Sequence, residues 1–211
     1  MRLTRRIAAA RFAAPVAALL AVLVFVPAPS WAADDPAVQT VRDLYAAFTA
    51  ALKDGPGPLP ARVEAVGPAM DKAFDFPAMA RVAVGSKWAS FTPEQQAAVT
   101  DAFKRSLTVT YANRLARAAG GKFDVTPKVE ERGAQRVVAT RVTAADGDDS
   151  EVDFVVNAGN RIQDVLLNGD VSEIAAQRTA LSGPLKTGGA DGAVKFLRQR
   201  ADGMLAAKPT P

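Results

Sequence analysis

The chain has 211 residues, 49% of them hydrophobic and 23% charged, with a formal net charge of +4 and neither cysteine nor histidine. That length is enough for one well-buried domain. The missing residue types exclude disulfide stapling, histidine-dependent nucleophilic triads and the usual zinc and iron ligand sets, and Ser-x-x-Lys does not occur.

In chain order, the first segment is an export signal. Arg2, Arg5 and Arg6 precede an uncharged run from Phe12 to Val26, and Ser30-Trp31-Ala32 places small residues where a signal peptidase reads them. The run is interrupted by Pro15 and falls short of the roughly 18 to 20 apolar residues that span a bilayer. The expectation is a cleaved signal peptide over 1–32, a single domain over 33–206 and a disordered tail over 207–211. The leader takes four arginines and no acid with it, leaving 22 basic and 22 acidic residues. A neutral mature chain has no basic patch for nucleic acid, and the chain is expected to be exported.

After the leader, Val38, Val41, Leu44, Tyr45, Phe48 and Leu52 recur at helical spacing and predict an amphipathic helix that stops at "GPGPLP". Further helices are predicted from Ala61 to about Phe74 and from Pro77 to Val84. Thr92-Pro93-Glu94-Gln95 has the form of a capping box. The helix it starts should be long, with Val99, Phe103, Leu107, Tyr111 and Leu115 four apart and Gly120-Gly121 at its end. From Lys122 the period becomes two. Strands are expected near 123–131, 134–144, 151–157 and 161–167, joined by loops so short that neighbours must be antiparallel. Helices resume over 172–181 and 191–206. The fold class is therefore α+β: a twisted antiparallel sheet of about four strands, covered on one face by N- and C-terminal helices, with room between for an apolar cavity or for tight packing.

Candidate chemistry is sparse. Glu130 and Glu131 point to opposite faces of a strand, the wrong arrangement for a paired acid and base. "ADGDDSEVD" has the charge of a calcium loop without its glycine and glutamate spacing, so it reads as a solvated hairpin. "TGGADG" lacks a Walker lysine and reads as a helix entry capped by Asp191. No enzyme and no metal site are expected. Strict alternation puts Asp164 between Ile162 and Leu166 on an apolar face, and Arg178 falls on the apolar stripe of its helix. Unpaired burial is costly for either, so Asp164 is expected to pair with Arg178 or Arg81.

"ARVAVGSKW" followed by "TPEQQAAVTDAFKRSLTVTYA", then "DVLLNGDVSE" and "GGADGAVKFLRQRAD", resembles the MlaC or toluene-tolerance family, periplasmic lipid-binding components of ABC-type lipid transport systems. "DFPAMARVAVGSKWASFTPEQQ" with "GADGAVKFLRQRAD" looks closest to the hopanoid-associated branch called HpnM. The chain departs from the family at Gly159-Asn160-Arg161-Ile162, where Gly-Trp-Lys-Ile is common, and at Leu181, where an aromatic is common. The resemblance implies a lipid shuttle with a phospholipid or hopanoid as its ligand and no other cofactor. Its implied partners are an inner-membrane and an outer-membrane complex. The alternative is a scaffold protein of lipid metabolism that carries nothing.

A two-chain lipid buries on the order of thirty methylenes, some 25 kcal/mol of transfer free energy, which calls for a pocket near roughly 1,000 Å³. The expected wall is Phe103, Leu107, Tyr111, Phe154 and Val165, with Phe74, Phe76 and Met79 nearby. The joint around Val82 and Trp88 is expected to close one end.

Overall fold

The structure, a computed structural model, describes residues 35–207. The predicted leader and all but the first residue of the predicted tail lie outside the described residues.

Helix α1 (Pro36–Ala51) starts where the Asp35 carboxylate accepts the Ala37 amide at 2.8 Å, and buries the predicted stripe from Val38 to Phe48. Helix α2 (Leu59–Ala73) follows the proline-rich turn, and α3 (Phe76–Val84) is capped by Asp75. A 3-10 turn over Gly85–Ser90 leads to α4 (Pro93–Leu115). Its capping box is present: Thr92 Oγ1 accepts the Gln95 amide while Gln95 Oε1 accepts the Thr92 amide. The 23 residues of α4 make a rod about 35 Å long, continued by one 3-10 turn over Ala116–Ala118.

The sheet is a meander, all antiparallel: β1 (Lys122–Arg132), β2 (Gln135–Thr143), β3 (Asp149–Val156), β4 (Ile162–Leu167) and a two-residue β5 (Val171–Ser172). The fifth strand exceeds the four expected. It exists because Asn168 and Gly169 both take positive φ and return the chain tightly onto β4. The outer strand β1 breaks register between Val125 and Val129, around Pro127, which has no amide proton to give to the ladder.

The last helix, α5 (Glu173–Ala206), joins the two expected helices into one kinked element. Gly189 at φ 57° makes the bend, and Gly192 lies so close to the Pro184 carbonyl that a Cβ there would overlap it. "TGGADG" is thus a kink between two helical halves. Helix α4 packs along α5 and α2, α1 lies on β1 and β2, and α3 bridges α5 and β4. The core fills the space between these helices and one sheet face, centred on Phe74, Phe103, Leu107 and Phe154.

A bulge corrects the expected faces of β4. The β3–β4 register shifts between Val155 and Val156, so Ile162 pairs with Val156 while Asp164 pairs with Val155 and Val165 with Phe154. Ile162 and Val165 both point at the helices and are fully buried; Asp164 is turned to the other face. Its carboxylate accepts the Ser172 hydroxyl at 2.6 Å and the amides of Val165 and Ile174 at 2.8 and 3.1 Å. The expected pairing of Asp164 with Arg178 or Arg81 is therefore wrong. Asp164 neutralises amide protons where α5 begins, and both arginines are exposed.

Candidate lipid-binding cavity

At the end of the sheet carrying the β2–β3 hairpin, the C-terminal turns of α4 stand away from the strands, and α1 lies along β1 beside the gap. They enclose a cavity of about 400 Å³. Its inner wall is aromatic. Tyr45 and Phe48 come from α1 because three residues of helix bring the stripe back to one face; Phe123 comes from the start of β1 and Phe154 from the centre of β3. The Tyr45 ring centroid lies 4.8 Å from Phe123, 5.6 Å from Phe154 and 6.1 Å from Phe48, a mutually packed cluster. Val142, Val152, Leu115 and Leu167 complete the apolar surface, and Tyr111 closes it from α4.

The mouth is charged on two sides. Arg114 from the last turn of α4, Arg117 from the 3-10 turn that continues it, and Asp146 and Asp148 from the hairpin tip all line it. Arg114 Nη1 is 2.8 Å from Glu173 Oε2 and its guanidinium lies 5.7 Å from the centre of the Tyr111 ring. Glu173 is buried and also accepts from Gln177 Nε2 at 2.7 Å; Gln177 in turn accepts from Arg200. This chain of contacts fixes the start of α5 against the end of α4. Arg114→Met leaves a buried carboxylate without its cation. With Arg114 itself half-exposed, the expected loss is about 2 kcal/mol, read as a lower urea midpoint at unchanged slope.

Two tyrosines on the wall are treated differently. Tyr45 Oη is 2.7 Å from Thr140 Oγ1, whose hydroxyl donates to the Val152 carbonyl. Tyr111 Oη is buried and has no hydrogen-bond partner among the described residues. Burial raises both phenols above their usual pKa; the charge of Glu173 adds to this at Tyr111, and the hydrogen bond shared with Thr140 opposes it at Tyr45.

The predicted wall is thus split. Tyr111 and Phe154 line the cavity. Phe74, Phe76, Met79, Phe103, Leu107 and Val165 are buried in close-packed core beyond it, with Phe74 stacked on Phe76 at 5.6 Å and edge-on to Tyr111 at 5.7 Å. This packing is why the enclosed volume is less than half the roughly 1,000 Å³ expected. Val82 is 49% exposed and lines no wall. Trp88 is half-buried against Phe91, and the carbonyls of both accept from Gln96 Nε2 at 3.1 and 3.3 Å. Lys87 Nζ donates to the Leu185 carbonyl on α5. The joint is a corner staple at the start of α4. Gln96 precedes Tyr111 by fifteen residues, about 22 Å of helix, so the staple does not close the cavity.

Tyr45, Phe48, Phe123, Val142 and Val152 were missing from the expected wall. Tyr45 and Phe48 stand on the α1 stripe, and alternation already placed Val152 beside Phe154. Phe123 could be found only from the β1–β2 register, which pairs it with Val142. Among the described residues no group of acidic side chains is arranged to hold a metal ion, and no helix is long and apolar enough to cross a membrane.

An antiparallel sheet holding an aromatic-walled cavity against helices is the architecture of a small apolar-ligand binder. The chain belongs to the MlaC family, whose model matches residues 39–199. Among solved structures it is similar to the phospholipid-binding protein from Ralstonia solanacearum, described in complex with a phospholipid. The two are 26% identical with a TM-score of 0.68, over 82% of this chain and 99% of that one. No curated protein matches the chain.

Proposed function

We propose that this chain is an exported lipid carrier. After removal of the 1–32 leader it works in the periplasm, takes a lipid from a complex in one membrane and delivers it to a complex in the other. The observation that carries this reading is the aromatic-walled cavity with a charged mouth, enclosed by a fold of the MlaC family. The likeness to a protein solved with a phospholipid supports a diacyl lipid as cargo. The resemblance of residues 75–96 and 189–202 to the hopanoid-associated branch makes a hopanoid the second cargo. Arg114 and Arg117 face the phosphate or other anionic part of the headgroup, and Asp146 and Asp148 face any amine on it.

About 400 Å³ is near the lower end of ordinary ligand sites, so the ends of two acyl chains enter only when the Tyr45, Phe48, Phe123 and Phe154 rings part. The docking partner supplies the energy for that opening, since spontaneous release of so much hydrocarbon into water is too slow. Organic extraction of purified protein followed by mass spectrometry is expected to yield about one lipid per chain. Background amounts only would overturn the carrier reading and favour a scaffold role. The mass of the extracted lipid distinguishes phospholipid from hopanoid.

A further inference from the structure

We propose that Tyr111 is a specificity residue, its hydroxyl donating a hydrogen bond to an ester carbonyl of the bound lipid. The inference rests on the carrier reading and adds the chemical feature of the lipid that the cavity reads. Three observations lead to it. Tyr111 lines the cavity from α4, yet its hydroxyl is buried without a partner among the described residues. Such a donor is costly unless something that enters the site satisfies it. The other tyrosine on the wall, Tyr45, is already engaged by Thr140, so it is not a second free donor.

Depth supplies the third. Arg114 and Arg117 follow Tyr111 by three and six residues on α4 and the turn that continues it. Their Cα atoms lie about 5 and 9 Å beyond that of Tyr111 along the helix, and the Arg114 guanidinium reaches back to 5.7 Å from the centre of the Tyr111 ring. A phosphate held at the mouth by these arginines puts the glycerol, and then the first acyl carbonyl, at the level of Tyr111. The hydrocarbon packs against the apolar wall of Phe48, Phe123 and Phe154. A phenol is a donor suited to a neutral carbonyl, and its raised pKa keeps the proton on oxygen.

The test uses the full mature chain, stripped of lipid and then offered equal amounts of a diacyl phosphatidylethanolamine and its dialkyl-ether counterpart of the same chain length. The ether lipid matches the ester in headgroup and hydrocarbon and lacks both carbonyls. Mass spectrometry of the reisolated protein is expected to show the ester lipid in about tenfold excess, the worth of one well-placed hydrogen bond in a buried site. In Tyr111→Phe the two lipids are expected in nearly equal amounts. The lipid-stripped variant is also expected to melt no lower than the parent, because the lost hydroxyl had no protein partner. A parent that retains both lipids equally would overturn the role of Tyr111 and leave the carrier reading intact. An ester preference that persists in Tyr111→Phe would do the same. Retention of neither lipid by the parent would overturn both. Should Tyr111→Phe fold poorly, its unfolding would itself contradict an unpartnered hydroxyl, and Tyr111→Leu, expected to bind weakly without preference, replaces it in the competition.

Discussion

Val152→Trp is expected to strip the protein of co-purifying lipid while leaving the fold in place. Val152 is half-buried on the inner face of β3, beside Phe154 and across from Leu167, and its side chain forms part of the cavity wall. An aromatic residue is well suited to a strand, and its bulk goes into the cavity and leaves the close-packed core behind it undisturbed. Each methylene kept out of the site forfeits about 0.8 kcal/mol. Displacing four of them weakens binding by on the order of a hundredfold. Lipid per protein after extraction gives the measurement, with circular dichroism and the thermal midpoint recording the fold. Full occupancy in a folded variant would place the lipid elsewhere.

The largest expected loss of stability falls on Arg62→Met. Arg62 lies on α2, is buried to 6% exposure, and its guanidinium donates to the carbonyls of Ala112, Pro56 and Gly57. One cation thereby joins the proline-rich turn before α2 to the C-terminal part of α4, next to the cavity. Methionine keeps much of the stem's packing but abandons all three acceptors. Hydrogen bonds to a charged group contribute about 1.5 to 3 kcal/mol, and the turn carbonyls can partly recover water, so the net cost is about 3 kcal/mol. For a domain of this size that lowers the melting temperature by roughly 6 to 12 °C. Arg62→Lys should fall between, since an ammonium group cannot span the three acceptors with a planar fork. A loss below about 1 kcal/mol in thermal unfolding would mean that the turn is held by its prolines.

What the amino-acid order made legible was what local physics decides. The Thr92 to Gln95 cap, the α1 stripe and the change of period at Lys122 are each settled within a few neighbouring residues, and each stands in the structure near its expected place. The bulge in β4 was hidden because alternation of Ile162, Asp164 and Leu166 is satisfied on paper; only pairing with β3 forces Ile162 and Val165 inward together. The fate of Asp164 followed from that error, since its partners Ser172 and Ile174 stand at the junction of β5 and α5. The cavity was misplaced for a related reason. The stripe on α4 reports which residues are apolar but not whether the sheet opposite lies close enough to pack on them. Near Phe103 and Leu107 it does, and by Tyr111 it has begun to part from the helix. The buried Arg62 had no signal in the chain order at all, because its acceptors are backbone carbonyls, which every residue has.

The two borders of the meander bear on how a chain that can form no disulfide avoids association through its strands. Along β1, Pro127 interrupts the register and Lys122, Asp124, Lys128, Glu130 and Glu131 crowd the outermost ladder with charge; at the far side β5 is only two residues long. Neither border offers a neighbouring molecule a run of unpaired amides to extend. In the proposed carrier role, a chain that opens its apolar wall to hand over a lipid is thereby kept from stacking strand on strand into fibrils.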